Sequence, residues 1–132
     1  MRLKDDRGEA ALELAIVAPV LMLLLLGVLQ FGLWYHAQHV VQTAALEASR
    51  VAAAEDGTTD EAQARALGVM RAGLGSATEE PVIEVNVESE SVGTTIKAKM
   101  RGLLPIPGLS SIDLHAKAVT YRERFRPVGE QP

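Results

Sequence analysis

The chain has 132 residues, a formal net charge of -4 and no cysteine. This length suits one small domain, and the lack of cysteine excludes disulfides and thiolate metal sites within the chain. Nucleic-acid binding is disfavoured, because it usually needs a clustered basic face or aromatic stacking platforms, and aromatic residues make up only 4% of the chain. Its stability must come from packing, from an anchor or from partner subunits.

An apolar segment near the N-terminus has the length of a membrane span. Residues 14–29 carry no polar side chain, and with Gln30 included the stretch reaches Tyr35, 22 residues in all. Such a helix is about 33 Å long and would cross a hydrocarbon core of about 30 Å. Phe31, Trp34 and Tyr35 close the stretch and predict an aromatic belt at the outer leaflet.

The flanking charges predict the orientation of this span. Arg2, Lys4 and Arg7 precede it, whereas the first basic residue after it is Arg50. The positive-inside rule therefore places the N-terminus in the cytoplasm and the C-terminal part outside. Pro19 removes one helix hydrogen bond and predicts a kink in the first half of the span.

A secretory signal peptide is the competing interpretation of this segment. Its apolar core is usually shorter and is followed closely by small residues at a cleavage site. Here the stretch ends in FGLWYH, which is a poor signal-peptidase site, so we predict a retained anchor. The residues that we assign to the anchor are Leu14, Pro19, Leu24, Phe31, Trp34 and Tyr35.

The segment RGEAALE, just before the span, is the most informative part of the sequence. A short basic leader ends at Gly8, and Glu13 follows five residues later, where the apolar stretch begins. A carboxylate in hydrocarbon costs roughly a few kcal/mol, so an acidic residue there is expected to have a partner. The simpler alternative is an interfacial glutamate that extends its carboxylate to water, next to a glycine of no special role.

This layout resembles the class III signal of type IV pilins and pseudopilins, which a membrane-embedded prepilin peptidase cuts after the glycine. The resemblance implies cleavage after Gly8, a mature chain that begins at Glu9, and subunit docking by Glu13, the fifth mature residue. In a helical stack, the new α-amino group of one subunit is expected to neutralise Glu13 of a neighbour, because an unpaired charge is penalised at low dielectric.

The chain also resembles the TadE-like pseudopilins of tight-adherence (Tad, Flp) pili, best over residues 8–50 and more weakly up to Arg122. Major pilins of that system carry Glu-Tyr at the fifth and sixth mature positions, whereas here Leu14 follows Glu13 and a further domain follows the helix. The first mature residue would be Glu9 and not phenylalanine, which leaves N-methylation open.

The resemblance implies a minor pseudopilin in the plasma (inner) membrane that contributes to pilus assembly or initiation, in the fibre or at its base. The implied partners are prepilin peptidase, other pilins or pseudopilins, the inner-membrane assembly platform and the lipid bilayer. An unprocessed single-pass scaffold or accessory subunit of an envelope complex needs the same anchor and remains the alternative.

Signs of catalysis or of a cofactor are absent from the sequence. His36 and His39 have a spacing that suits a metal, but no third ligand accompanies them, and polar residues are ordinary beside an aromatic belt. The sequence contains no glycine-rich phosphate loop and no nucleophile motif. We therefore expect no enzyme activity, no cofactor and no metal site.

Beyond Tyr35 small apolar residues continue at helical spacing and form one stripe. Its members are Ala37, Val41, Ala44, Ala48 and Val51. Small residues permit close helix contacts, and the stripe suits packing either on the chain's own sheet or on a neighbouring subunit.

We predict that this helix ends before Asp56 and that a capping box at Thr58 and Glu61 opens a second helix to about Gly73. The predicted apolar face of the second helix contains Leu67, Met70 and Leu74.

Three segments with period-two alternation predict an antiparallel sheet. Their apolar positions are Ile83, Val85 and Val87; Ile96, Ala98 and Met100; and Ile112, Leu114, Ala116 and Ala118. The outward positions are acidic in the first strand and basic in the second, so we expect opposite charges to pair across them. Residues 102–111, GLLPIPGLSS, form an apolar connection that either folds over the core or serves as a contact patch.

The predicted fold class is α+β. A long N-terminal transmembrane helix continues into an extracytoplasmic helix, followed by a second short helix and a three-stranded antiparallel sheet. The predicted divisions are a cytoplasmic leader at residues 1–8, a transmembrane helix at 9–36, a small extracytoplasmic domain at 37–122 and a flexible tail at 123–132.

Overall fold

The computed structural model describes residues 5–103, 107–108 and 110–122, with the backbone alone for residues 5–7. Two helices and then three strands follow one another along these residues, which confirms the predicted α+β fold. The predicted tail at 123–132 and the first four residues of the predicted leader lie outside the described residues.

Helix α1 spans Asp5–Ala53 and passes through Pro19 without interruption. Its 49 residues correspond to a length of about 73 Å. We call residues 8–36 the lower segment and residues 37–53 the upper segment. Large apolar side chains dominate the lower segment, and alanine dominates the upper one.

Helix α2 spans Thr59–Leu74 and begins with the predicted capping box. The backbone N–H of Glu61 donates to Thr58 Oγ1 at 3.2 Å, and Glu61 Oε2 accepts from the backbone N–H of Thr58 at 3.4 Å. The helix ends at Gly75, whose φ of 57° favours glycine and whose N–H donates to the carbonyl oxygen of Arg71.

The buried face of α2 agrees with the predicted one only in part. Met70 is buried and Leu74 packs against the core, as expected, but Ala62 and Ala66 are also buried and Leu67 is only half-buried. The reason is the close approach of the two helices, since a Cβ on Gly73 would lie 2.7 Å from both γ-carbons of Val40. At such a distance small side chains fit between the helices and leucine does not.

Strands β1 (Val82–Val87), β2 (Ser91–Arg101) and β3 (Ser111–Tyr121) form the predicted antiparallel sheet in the order β1-β2-β3. The segment before β1 also adds to this sheet. Glu79 donates its N–H to the carbonyl of Lys99 at 2.9 Å, and Arg101 donates to the carbonyl of Ala77 at 3.1 Å.

The predicted pairing of opposite charges between β1 and β2 is wrong. Val82 lies opposite Lys97, and Glu84 lies opposite Thr95. The register is fixed by the connection at residues 88–91, where Glu88 donates its N–H to the Ser91 carbonyl at 2.8 Å. A charge pair contributes only a few tenths of a kcal/mol, roughly, and does not outweigh a register that places one face on the core.

The upper segment of α1 lies between α2 and the sheet and provides the centre of the core. Its fully buried apolar members, each 0% exposed, are Ala37, Val41, Ala44, Ala45 and Ala48. They pack with Ile96 and Leu114 of the sheet and with Ala66 of α2. The stripe predicted from sequence therefore packs within the chain and is not free to contact a neighbouring subunit.

Strand β3 runs beside α1 in the same direction. Gln38 Nε2 donates to the His115 carbonyl at 2.6 Å, and Ser49 Oγ lies 2.7 Å from Thr120 Oγ1. Between these two contacts the helix and the strand each advance about 16 Å. The Ser111 end of the sheet is therefore the end that faces the lower segment.

Candidate functional site

The lower segment presents an apolar surface that the rest of the described chain leaves uncovered. Leu14 is 66% exposed and Leu24 is 63% exposed, and exposed leucine or valine side chains continue along the segment. By length and composition, α1 is the one candidate membrane span among the described residues. The position near the N-terminus agrees with the predicted single-pass anchor.

The residues predicted for cleavage and docking lie on the first turns of α1. Gly8, Glu9 and Glu13 are all exposed, and a Cβ on Gly8 would meet nothing within 4 Å. Glu9 and Glu13 are one turn apart on the same helix face, about 6 Å along the axis. Among the described side chains, none forms an ion pair with Glu13. The carboxylate is thus open to a partner from another molecule.

The aromatic residues at the upper end of the lower segment divide between two environments. Phe31 and Tyr35 are exposed, whereas Trp34 is half-buried and packs against the core. The Phe31 and Trp34 ring centroids are 5.6 Å apart, and the Tyr35 hydroxyl lies 3.1 Å from His39 Nε2. Trp34 therefore belongs to the domain as well as to the predicted belt.

Gln30 connects α1 to the rest of the domain, although the sequence marked it only as an interruption of the apolar stretch. It is 8% exposed, and its Oε1 accepts the backbone N–H of Leu103 at 2.8 Å. An amide without a partner is costly in an apolar environment, and its isolation in the stretch was the signal that could have marked it. The predicted span and the domain thus overlap along α1, starting at Gln30.

The two histidines near the belt have separate partners. His36 Nε2 lies 3.3 Å from the carbonyl oxygen of Gly73, and His39 contacts Tyr35. Within the part of the chain that the structure describes, no group of three potential metal-ligating side chains lies together. His36 therefore joins α1 to the end of α2, whereas the His39 contact lies within α1.

A comparison with protein families gives a match over the N-terminal part of the chain. Residues 8–50 match the model of the family described as TadE-like protein. This segment covers about a third of the chain and most of α1, from the predicted cleavage glycine to the last turn of the helix. No curated protein and no solved structure matches the chain significantly. Over residues 8–50 the chain is therefore similar to the TadE-like family, as its sequence indicated.

Proposed function

We propose that the chain is a minor pseudopilin of the Tad pilus system. It is cut after Gly8 by prepilin peptidase, is held in the plasma (inner) membrane with its N-terminus in the cytoplasm, and contributes to pilus assembly or initiation. The observation that carries this proposal is the coincidence of the TadE-like match and the uncovered apolar surface on one helix, α1.

The two segments of α1 have different roles in this proposal. The stripe of small residues in the upper segment is buried within the domain, so this stripe is unavailable for contacts between subunits. The lower segment has an apolar surface that water does not favour. A bilayer covers this surface before assembly, and the helices of other pilins or pseudopilins cover it in the pilus.

Glu13 guides the transfer from bilayer to pilus. Its carboxylate is exposed at the start of the apolar stretch, where hydrocarbon penalises an unpaired charge. Cleavage after Gly8 gives each subunit a new α-amino group at Glu9. The amine of one subunit pairs with Glu13 of the next, so an assembled pair is favoured over a subunit alone in the membrane.

The processing step is tested by mass spectrometry of the N-terminus of protein purified from membranes. We expect the wild-type chain to begin at Glu9, and a Gly8→Leu variant to retain its leader. Gly27→Leu is the matched control, since a Cβ at Gly27 also meets nothing within 4 Å, and it should be processed normally. A terminus at Met1 or Arg2 in cells with active prepilin peptidase would contradict processing and favour an unprocessed scaffold.

The docking step is tested by counting pili in cells that carry Glu13→Ala. We expect normal membrane insertion and strongly reduced piliation, whereas Glu55→Ala, an exposed glutamate in the turn after α1, should leave piliation unchanged. Unchanged piliation in the Glu13 variant would count against the docking role. Immunogold labelling then separates incorporation along the fibre from a position at its base.

A further inference from the structure

The connection between β2 and β3 leaves the sheet beside the lower segment of α1. Leu103 donates its backbone N–H to Gln30 Oε1 at 2.8 Å, and its own side chain is 52% exposed. Between Arg101 and Asp113 the sequence contains no charged residue. An uncovered leucine is therefore held against the helix that crosses the membrane.

The rise per residue of the helix and of the strand gives the height of Leu103 along α1. Gln30 precedes Trp34 of the predicted aromatic belt by one turn, which places it about 6 Å nearer the bilayer centre. From Gln38 back to Gln30 the helix descends about 12 Å, and from His115 back to Ser111 the strand descends about 13 Å. The lower edge of the sheet is thus level with Gln30, and Leu103 is at the height of the outer-leaflet interface.

The hydrogen bond between Gln30 and Leu103 suits a place from which water is excluded. The buried amide of Gln30 has an acceptor oxygen in need of a donor, and the Leu103 backbone supplies one. In hydrocarbon or at its border, each of these groups would be costly alone. The bond satisfies the amide oxygen and the Leu103 N–H and fixes the start of the connection on the surface of α1, whereas Gln30 Nε2 is buried without a hydrogen-bond partner among the described residues.

We propose that Leu103 is a second membrane contact of this chain, with its side chain inserted in the outer-leaflet interface of the lipid bilayer. Gln30 positions it, and the exposed Arg101 side chain, on the same lower edge of the sheet, can extend towards the anionic lipid headgroups. A lipid surface is the favoured occupant because the site is continuous with the spanning segment. This inference rests on the proposed function only for the membrane span and its orientation.

The absence of cysteine allows each position to be tested with a single fluorescent label. Leu103→Cys, Val119→Cys and Leu24→Cys are labelled with an environment-sensitive dye, and the full chain is reconstituted into vesicles of phosphatidylcholine and phosphatidylglycerol. Some lipids carry a nitroxide quencher on the upper part of the acyl chain. Val119 is a matched control, because it is 53% exposed on the same sheet but lies towards its membrane-distal end.

We expect the dye at Leu103 to emit at shorter wavelength than the dye at Val119 and to be quenched several-fold more by the nitroxide lipids. The dye at Leu24 should be quenched as a member of the span. Equal behaviour at Leu103 and Val119, with Leu24 quenched, would overturn the inference and leave the anchor intact. Absence of quenching at Leu24 would overturn the anchor, and the inference with it.

A neighbouring copy of the chain is the other possible cover of Leu103. In that case the short-wavelength emission of the dye at Leu103 disappears as the protein is diluted in lipid, and nitroxide lipids do not quench this dye. That result would overturn the inference.

The positioning role of Gln30 is tested with Gln30→Met, which keeps the side-chain length but removes the acceptor. We expect this variant to reduce quenching at Leu103 at least about two-fold while quenching at Leu24 is unchanged; unchanged quenching at Leu103 would overturn the positioning role of Gln30.

Discussion

The two segments of α1 belong to one continuous helix and meet opposite surroundings. The lower segment carries the more hydrophobic side chains, such as Leu24, and leaves them exposed. The upper segment carries alanines, such as Ala44 and Ala48, and buries them completely. The difference teaches that hydrophobicity alone does not predict which residues form the core of this chain. Here the core residues of the helix are the small ones, because small side chains allow α2 and the sheet to approach the helix closely.

The largest expected effect comes from adding volume where the upper segment is packed. Ala44→Leu should lower the free energy of unfolding of the domain by about 1–3 kcal/mol, because a fully buried site has no room for three more carbons. The measurement is denaturant unfolding of the full chain in detergent, followed by the fluorescence of Trp34, the single tryptophan. Ala15→Leu adds the same volume to an exposed site in the lower segment and should have no effect on this unfolding. Equal losses in the free energy of unfolding for Ala44→Leu and Ala15→Leu would contradict the difference in packing between the two segments.

A smaller loss is expected where α2 meets the upper segment. In Gly73→Ala the new methyl group would lie 2.7 Å from both γ-carbons of Val40, whose β-branched side chain has little rotamer freedom in a helix. We expect a loss of about 1–2 kcal/mol in the same unfolding measurement. The double variant with Val40→Ala should recover part of the loss.

The matched control for this contact is Gly68→Ala. A Cβ on Gly68 meets nothing within 4 Å in the middle of α2. The helix should therefore gain about 0.5–1 kcal/mol from the loss of glycine flexibility in the unfolded chain. A gain in Gly73→Ala as well would show that the helices are not in close contact.

The capping box should contribute less than the helix contact. Thr58→Ala removes the acceptor of the Glu61 N–H and should cost about 1 kcal/mol. Thr59→Ala, at the next position and exposed, should change the free energy of unfolding by less than about 0.5 kcal/mol. A similar cost at both positions would mean that the box does not fix the start of α2.

The smallest effect is expected from the ion pairs on the outside of the upper segment. Glu47 lies 3.3 Å from Arg50 and 3.2 Å from Arg65 of α2, and both arginine side chains are more than half exposed. Glu47→Gln should cost about 0.2–1 kcal/mol, and less in about 1 M salt, where exposed charges are screened. A larger, salt-independent loss would show that this pair, and not the alanine contact, attaches α2 to α1.

Much of the fold follows from local patterns in the sequence. The apolar stretch and the alanine stripe predict α1, the pair Thr58 and Glu61 predicts the start of α2, and period-two alternation predicts the three strands. Each of these signals acts within a few residues, so a single sequence is enough to recognise it.

Features that depend on distant residues were not predictable in this way. The hydrogen bond of Gln30 to Leu103 joins residues 73 positions apart, so a lone glutamine in an apolar stretch can mark Gln30 but not its partner. The register of β1 on β2 depends on a tight turn, which overrode the expected pairing of charges. Gly8 and Glu13 remain predictions, since cleavage and docking involve other molecules.

The unbroken course of α1 has a mechanical consequence. The helix has no joint between its two segments, and contacts at Gln30, Gln38 and Ser49 attach it to the sheet or to the connection that leaves the sheet. A rotation of the lower segment about its axis therefore turns the sheet by the same angle. The packing of helices inside a filament would thus decide which strand face of the domain points outward.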